Sequence, residues 1–395
     1  MLNSSLSLVR DSWPRILATN DLQVNTTPWK AFGPGWIVPP TLDAQSRRHI
    51  VYAWLQACTQ QHSNCSLPAY TELPKRYLDL RDVLQGVIQL NEAKGEIGRY
   101  ATVSHCWGES VPLTTTKATL DVRKSGIPLS ELPKSFQEAI LIAMEQNISF
   151  IWIDSLCIIQ DDESDWTEHV RTMADIYSNS YLNIGLTRAP DSHTESMDHI
   201  IHVRQKLAFA HDKFTGTLND TIAGTIFAYS NAFACAPLLT RAWVFQERVL
   251  APRMLHIHAS EMIWECNSTM RCECTGLDNL LPQSHYARTL KKICSVAELG
   301  NDIKEPLESF WQWAVMEYTK LKLSKESDRL PAFAGLAARF QTRSGSRYVA
   351  GMWLGEQFDF ARQLSWRVYE ESPRGSLQSR RSIPLKAPTW SWASL

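Results

Sequence analysis

An α/β fold, with a mainly parallel sheet flanked by helices, is what this sequence predicts, and two features predict it. Residues 100–107 (YATVSHCW) are an apolar run that stops at Gly108, as a buried strand leading into a functional loop does. A helix follows, opened by Ser130, Glu131 and Pro133, with Phe136, Ile140, Ala143 and Met144 as its buried stripe up to Asn147. Residues 150–153 (FIWI), closed by Asp154, make a second buried strand. Strand, helix, strand in this order calls for parallel pairing through a right-handed crossover. The second feature is that the alternation repeats. Asp161, Asp162, Glu163 and Asp165 suit the positive end of a helix dipole, and Val170, Met173, Ile176 and Tyr177 give that helix an inner face. Residues 181–186 (YLNIGL) then form a third strand.

The flanking segments are justified in the same way. Pro28, Pro34, Pro39 and Pro40 with Gly33 and Gly35 leave the first forty residues without a sustained period, so they read as an extended arm. Ile50, Trp54, Leu55 and Cys58 recur at helical spacing within residues 43–61, an amphipathic helix. Residues 76–80 and 83–90 read as short strands before a turn at Lys94 and Gly95, and residues 188–199 as a loop. Residues 215–229 suggest a hairpin, residues 240–250 (TRAWVFQERVL) a compact helix, and residues 254–258 and 261–265 two more strands. Beyond Cys274 the pattern is helical, with one helix through Phe310, Trp313, Ala314, Met316, Tyr318 and Leu321 and another over residues 329–340. Trp353, Trp366, Trp390 and Trp392 mark an aromatic, irregular tail. The expected division is an N-terminal arm and helix (1–72), an α/β domain (73–274) and a C-terminal helical and aromatic extension (275–395).

Charge and composition exclude several functions. Forty Lys and Arg against 41 Asp and Glu leave a formal charge of −1, which gives no field to hold a nucleic-acid backbone. Arg10, Asp11, Pro14 and Arg15 interrupt the start of the chain where a signal peptide needs an apolar run, and no later run reaches membrane-spanning length. A cytoplasmic protein without a membrane span is expected. Nine cysteines, odd in number and scattered, predict reduced thiols rather than a disulfide scaffold. The 15 tryptophans suit gap-filling between irregular segments.

Five blocks in order then resemble one family: residues 100–108 (YATVSHCWG), 132–139 (LPKSFQEA), 150–161 (FIWIDSLCIIQD), 165–179 (DWTEHVRTMADIYSN) and 241–250 (RAWVFQERVL). Together they resemble the fungal heterokaryon-incompatibility (HET) domain. Trp54, Cys58, His62 and Cys65 resemble a segment that often precedes this domain. Residues 328–332 (DRLPA), 335–337 (GLA) and 387–394 (APTWSWAS) resemble what often follows. The chain departs from the family at His169, where Glu or Gln is common. It also ends just after a Trp-Ser-Trp motif past which family members usually continue, so truncation after Leu395 is one reading.

The resemblance implies a TIR-like, flavodoxin-like sheet and a role in nonself recognition and programmed cell death. Some TIR domains cleave NAD with a helix-borne glutamate four residues after a Trp; Trp243 and Glu247 have that spacing and share a helical face. Glu247 is therefore the candidate catalytic carboxylate, with NAD as a substrate and no permanently bound cofactor. The bond broken would join nicotinamide to ribose, through an oxocarbenium-like transition state that a carboxylate stabilises. Ser104, His105, Trp107, Asp154 and Ser155 fall at predicted strand ends, where open α/β sheets bind ligands, and with Trp243 they are the candidate binding residues. Asp154 could instead cap the turn that follows it, and Glu247 could instead form a surface ion pair with Arg241 or Arg248. A self-assembling or partner-recruiting module that breaks no bond is the alternative function. A homo-oligomer and a separate recognition protein are the expected partners. His105 and Cys106 are adjacent on a strand and point to opposite faces, so they form no catalytic dyad. Cys58, His62 and Cys65 have spacing that zinc could use on one helical face, yet a fourth ligand is needed. The loop cluster of Cys266, Cys272 and Cys274 could supply it, but it lacks the second spaced pair of a zinc motif, so no metal is assigned and packed thiols are expected.

Overall fold

In the computed structural model, which describes residues 43–65, 68, 70–108, 112–194, 236–258, 261–273, 285–295, 306–366 and 387–394, the strand–helix alternation closes around one sheet. Helix α1 (Ala44–Gln61) starts where the Asp43 side chain accepts the Ser46 N–H, and it buries Val51, Trp54, Leu55 and Cys58. The chain continues through β1 (Thr71–Glu72), β2 (Arg76–Asp79), β3 (Val87–Glu92), β4 (Ile97–Gly98) and β5 (Tyr100–Ser104). Next come α2 (Leu120–Ser125), β6 (Ile127–Pro128), α3 (Lys134–Glu145), β7 (Phe150–Trp152), the short α4 (Asp154–Cys157), α5 (Glu163–Ser178) and β8 (Leu182–Gly185). Helix α6 (Ala242–Leu250) leads into β9 (Arg253–Ile257), β10 (Met262–Cys266) and β11 (Met270–Cys272). The C-terminal part holds α7 (His285–Cys294), α8 (Leu307–Thr319), α9 (Pro331–Ser344), the hairpin β12 (Arg347–Val349) and β13 (Met352–Leu354), and α10 (Phe360–Leu364).

Among the described residues the main sheet has nine strands in the order β11-β10-β9-β8-β5-β7-β2-β3-β6. It is parallel at its centre, as the alternation predicts: β5 pairs in parallel with β7 and β8, and β8 with β9. Both margins are antiparallel, through β2 and β3 on one side and β10 and β11 on the other. Taken in chain order, the parallel strands lie second, first, third, fourth, the flavodoxin-like arrangement. The order therefore reverses between β5 and β8, the kind of position outside whose carboxyl ends open α/β sheets generally bind ligands.

The structure differs from the sequence reading in several places. The expected strand at 83–90 is a 3₁₀ turn (Val83–Gln85), a reversal at Gly86 (φ 82°) and then β3, because the chain turns before pairing with β2. The tail expected to be irregular begins in regular structure, since Trp353 lies in the β12–β13 pair. Residues 188–194 are loop, as expected, whereas Leu186, expected in the third strand, lies just past its end; 195–199 lie outside the described residues. The arm at 1–40, the hairpin at 215–229 and Cys274 lie outside the described residues.

Two close approaches hold the layers together. Gly335 on α9 donates its N–H to Gln246 Oε1 on α6 at 2.8 Å, and a Cβ there would sit 2.5 Å from that oxygen and 2.7 Å from Ala174 Cβ. Only a glycine lets α9 lie this close to α5 and α6. The aromatic tail is packed rather than loose: Trp311 has Phe333, Phe340 and Trp353 at ring distances of 5.0, 5.2 and 5.0 Å. The buried apolar cluster runs continuously from Val51 on α1 to Ala393.

Candidate active site

Four elements bring side chains together near the carboxyl ends of the parallel strands. Ser104 ends β5, Asp154 opens α4 just after β7, Asn183 lies on β8 and Glu247 lies on α6. Residues 100–104 form a strand buried throughout, so its last side chain arrives at the sheet end already desolvated. Ser104 Oγ donates to Glu247 Oε2 at 2.5 Å, and Asn183 Nδ2 donates to Ser104 Oγ at 3.0 Å. The carboxylate is not on the surface as the ion-pair reading required; Glu247 is 8% exposed. Arg248 turns away instead to Glu265, 2.7 Å from its Nε.

Beside this lies a second carboxylate with the opposite character. Asp154 Oδ1 lies 2.8 Å from His105 Nε2 and accepts the Ser155 N–H at 2.7 Å, while Oδ2 accepts the Trp107 indole N–H at 3.1 Å. Asp154 thus holds the N–H of the next residue in its own helix turn and also ties the loop after β5 to the end of β7. Its side chain keeps 27% exposure, so it forms the open rim of the site. The loop turns at Gly108 (φ 74°), where a Cβ would collide with Asp191 at 2.4 Å.

Environment drives the two acids apart. Burial pushes Glu247 up from 4.5 to about 7; the Asp154 charge adds to this, while Ser104, Arg241 and Tyr177 pull the other way. Burial also opposes ionisation of Asp154, yet the charge and hydrogen bond of His105, with Trp107 and Arg241, hold it below the usual carboxylate value. One acid is poised near neutrality and its neighbour stays ionised, the separation that acid–base sites use.

Of the residues singled out from sequence, the structure brings together Ser104, His105, Trp107, Asp154, Ser155 and Glu247. Ser155 is fully buried, and its hydroxyl has no partner among the described residues. Trp243 is half-buried, and its indole N–H donates to Asp328 at 3.2 Å, which directs that end of the ring to the C-terminal segment. His105 and Cys106 do point apart: Cys106 packs with Leu238, Val244 and Met254, whereas the His105 ring meets Phe136 at 4.8 Å. Burial raises the Cys157 thiol to about 12, in keeping with a packed residue and not a nucleophile. Asn183, Tyr177 and Arg241 were missed as site residues. A polar Asn inside the apolar run 181–186 was the one available signal, since a buried strand amide needs a partner.

The sheet is of the doubly wound, flavodoxin-like class, and Glu247 meets the end of β5 where the strand order reverses. Residues 100–247 match the model of the heterokaryon incompatibility protein (HET) family, and the match ends on Glu247 itself. This part of the chain is a HET domain, and that domain implies a role in heterokaryon incompatibility. No curated protein and no solved structure matches the chain. No helix among the described residues is long and apolar enough to cross a membrane.

Proposed function

We propose that the protein is a cytoplasmic HET effector of fungal nonself recognition and programmed cell death that hydrolyses the nicotinamide–ribose bond of NAD beside Glu247. The observation that carries this reading is a buried glutamate, poised near neutral pH, hydrogen-bonded to the end of β5 where the strand order reverses. As the bond to nicotinamide breaks, the electron pair leaves with the nicotinamide and positive charge grows on the ribose ring. The ionised Glu247 stabilises that charge, with little water present to screen it. Water then adds at the ribose carbon and releases a proton, giving ADP-ribose. Ser104 holds Glu247 in place. His105, Trp107, Asp154 and Ser155 form the ribose side, with the exposed edge of Asp154 meeting sugar hydroxyls, and Trp243 walls α6. NAD is a substrate here and not a resident cofactor. In this reading the likeness to TIR domains extends to assembly: a homo-oligomer completes the site, and a separate recognition protein triggers it.

One observation favours a second reading, a self-assembling or recruiting module. Both Asp154 oxygens and one Glu247 oxygen already have hydrogen-bond partners within the protein, as structural carboxylates do. Expression of the wild type and Glu247→Gln in a fungal host separates the two. Enzymatic action predicts that the substitution abolishes both NAD depletion and cell death; death with NAD unchanged in both strains would establish the module instead.

A further inference from the structure

Far from the acidic pair, three cysteines and a histidine converge. Helix α1 ends at Gln61, so His62 is its cap and Cys65 lies in a 3₁₀ turn (Ser63–Cys65) that curls back toward Cys58. The spacing is therefore a helix-and-turn clamp and not a stripe along one helical face. The fourth residue, one of the three loop cysteines that the sequence offered, is Cys266, the last residue of β10, 201 positions after Cys65. The ligand atoms of Cys58, His62, Cys65 and Cys266 all lie within 4.8 Å of one another. His62 Nδ1 is 3.5 Å from Cys266 Sγ and 3.9 Å from Cys65 Sγ. A tetrahedral zinc ion with Zn–S of about 2.3 Å and Zn–N of about 2.0 Å spaces its S and N ligands roughly 3.5 Å apart. All three thiols are free of disulfides and buried.

The surroundings match such an ion. The Thr269 N–H donates to Cys266 Sγ at 3.4 Å, and Ser268 Oγ lies 3.6 Å from Cys65 Sγ, so the turn after β10 hydrogen-bonds the sulfurs as outer groups around metal thiolates do. Arg253 is 2% exposed and donates to the carbonyls of Cys65 and Tyr181; no carboxylate pairs with it among the described residues. A buried cation without a counter-charge is costly. Three thiolates around a divalent ion carry a net single negative charge and provide one.

We propose that Cys58, His62, Cys65 and Cys266 form a closed, four-ligand structural zinc centre that fastens α1 to the β10–β11 turn. Sulfur-rich tetrahedral donors select zinc over oxygen-loving cations, and four protein ligands leave no position for substrate. Its place in the sheet agrees. Cys266 pairs with Arg253, the first residue of β9, whereas Ser104 and Gly185 pair at the last residues of β5 and β8. The centre thus sits at the amino ends of the parallel strands, opposite the acidic site.

The test is elemental analysis of the full-length protein purified without metal-affinity resin. One equivalent of zinc per chain is expected, and Cys266→Ser and Cys58→Ser should lose it. Should these variants fail to fold, the wild type decides the matter. Chelator stripping should lower its melting temperature, and Co²⁺ alone should then give the intense visible bands of a tetrahedral thiolate site at one equivalent. Folded wild type without stoichiometric metal, and without a tetrahedral cobalt spectrum, would overturn the proposal whatever its activity toward NAD.

Discussion

At the scale of single residues, Glu247 makes the sharpest statement. Its carboxyl is held above its ordinary value of 4.5, at about 7, chiefly by burial. A raised carboxyl means that the folded state binds its proton more tightly than the unfolded chain does. Stability is therefore fullest below about 4.5 and is lost as pH climbs through about 7. Asp165 and Glu265 have the opposite sense: both are held well below ordinary values despite burial, Asp165 mainly by Arg76 and Glu265 mainly by Arg248 and Lys291. Their contributions are complete above the normal carboxylate range and are lost only in acid, so they do not mask the Glu247 window. Urea midpoints between pH 5 and 8 should fall more steeply in the wild type than in Glu247→Gln, by a difference on the order of 3 kcal/mol. Parallel slopes would place Glu247 in contact with water. Part of this residue-level picture was legible in the sequence. Ser104, Asp154 and Glu247 could be named because apolar runs with defined ends fix which side chain falls at a strand terminus, and helical spacing fixes a face. Asn183 stood out only as a polar residue in an apolar run, since its place beside Ser104 depends on how β8 registers against β5, and Tyr177 did not stand out, since its hydrogen bond to Val103 O depends on how α5 packs on β5.

At the scale of elements, α6 is the part that must be held still. It has nine residues and no side-chain cap at its start, so packing and its far end must fix it. Lys291 on α7 supplies that end. It is 1% exposed and donates to the carbonyls of Arg248 and of Ala251, the latter at 2.8 Å, while lying 3.8 Å from Glu265. Replacing it with Met leaves those carbonyls without their buried donor and removes a cation from Glu265. The expected loss for Lys291→Met is ~3 kcal/mol in urea unfolding, while a change below ~0.5 kcal/mol would deny the clamp. Longer elements such as α3, α5 and α8 were legible because their apolar periodicity is sustained. The two- and three-residue strands β1, β4, β6 and β11 were not, because segments so short carry no period and exist only through their partners. The same limit left Cys266 as one of three candidate companions of Cys58, His62 and Cys65: a contact between an N-terminal helix and an edge hairpin leaves no local trace that picks one.

At the scale of the whole molecule, the parallel centre of the sheet was predicted and its antiparallel margins were not, since pairing direction at an edge depends on connections rather than on composition. That centre carries the proposed function, because Glu247 meets the end of β5 where the strand order reverses toward β8. The C-terminal aromatic cluster and α9 close over α6 through Gly335, so the acidic site belongs to the full chain and not to residues 100–247 alone. The most direct measurement is nicotinamide release from NAD by the purified full chain, followed against pH and protein concentration, with Glu247→Gln alongside. The account predicts a rate that rises as pH passes through about 7, grows more than proportionally with protein concentration, and disappears in the variant. An equal rate in wild type and variant, or no nicotinamide at any concentration, would contradict it.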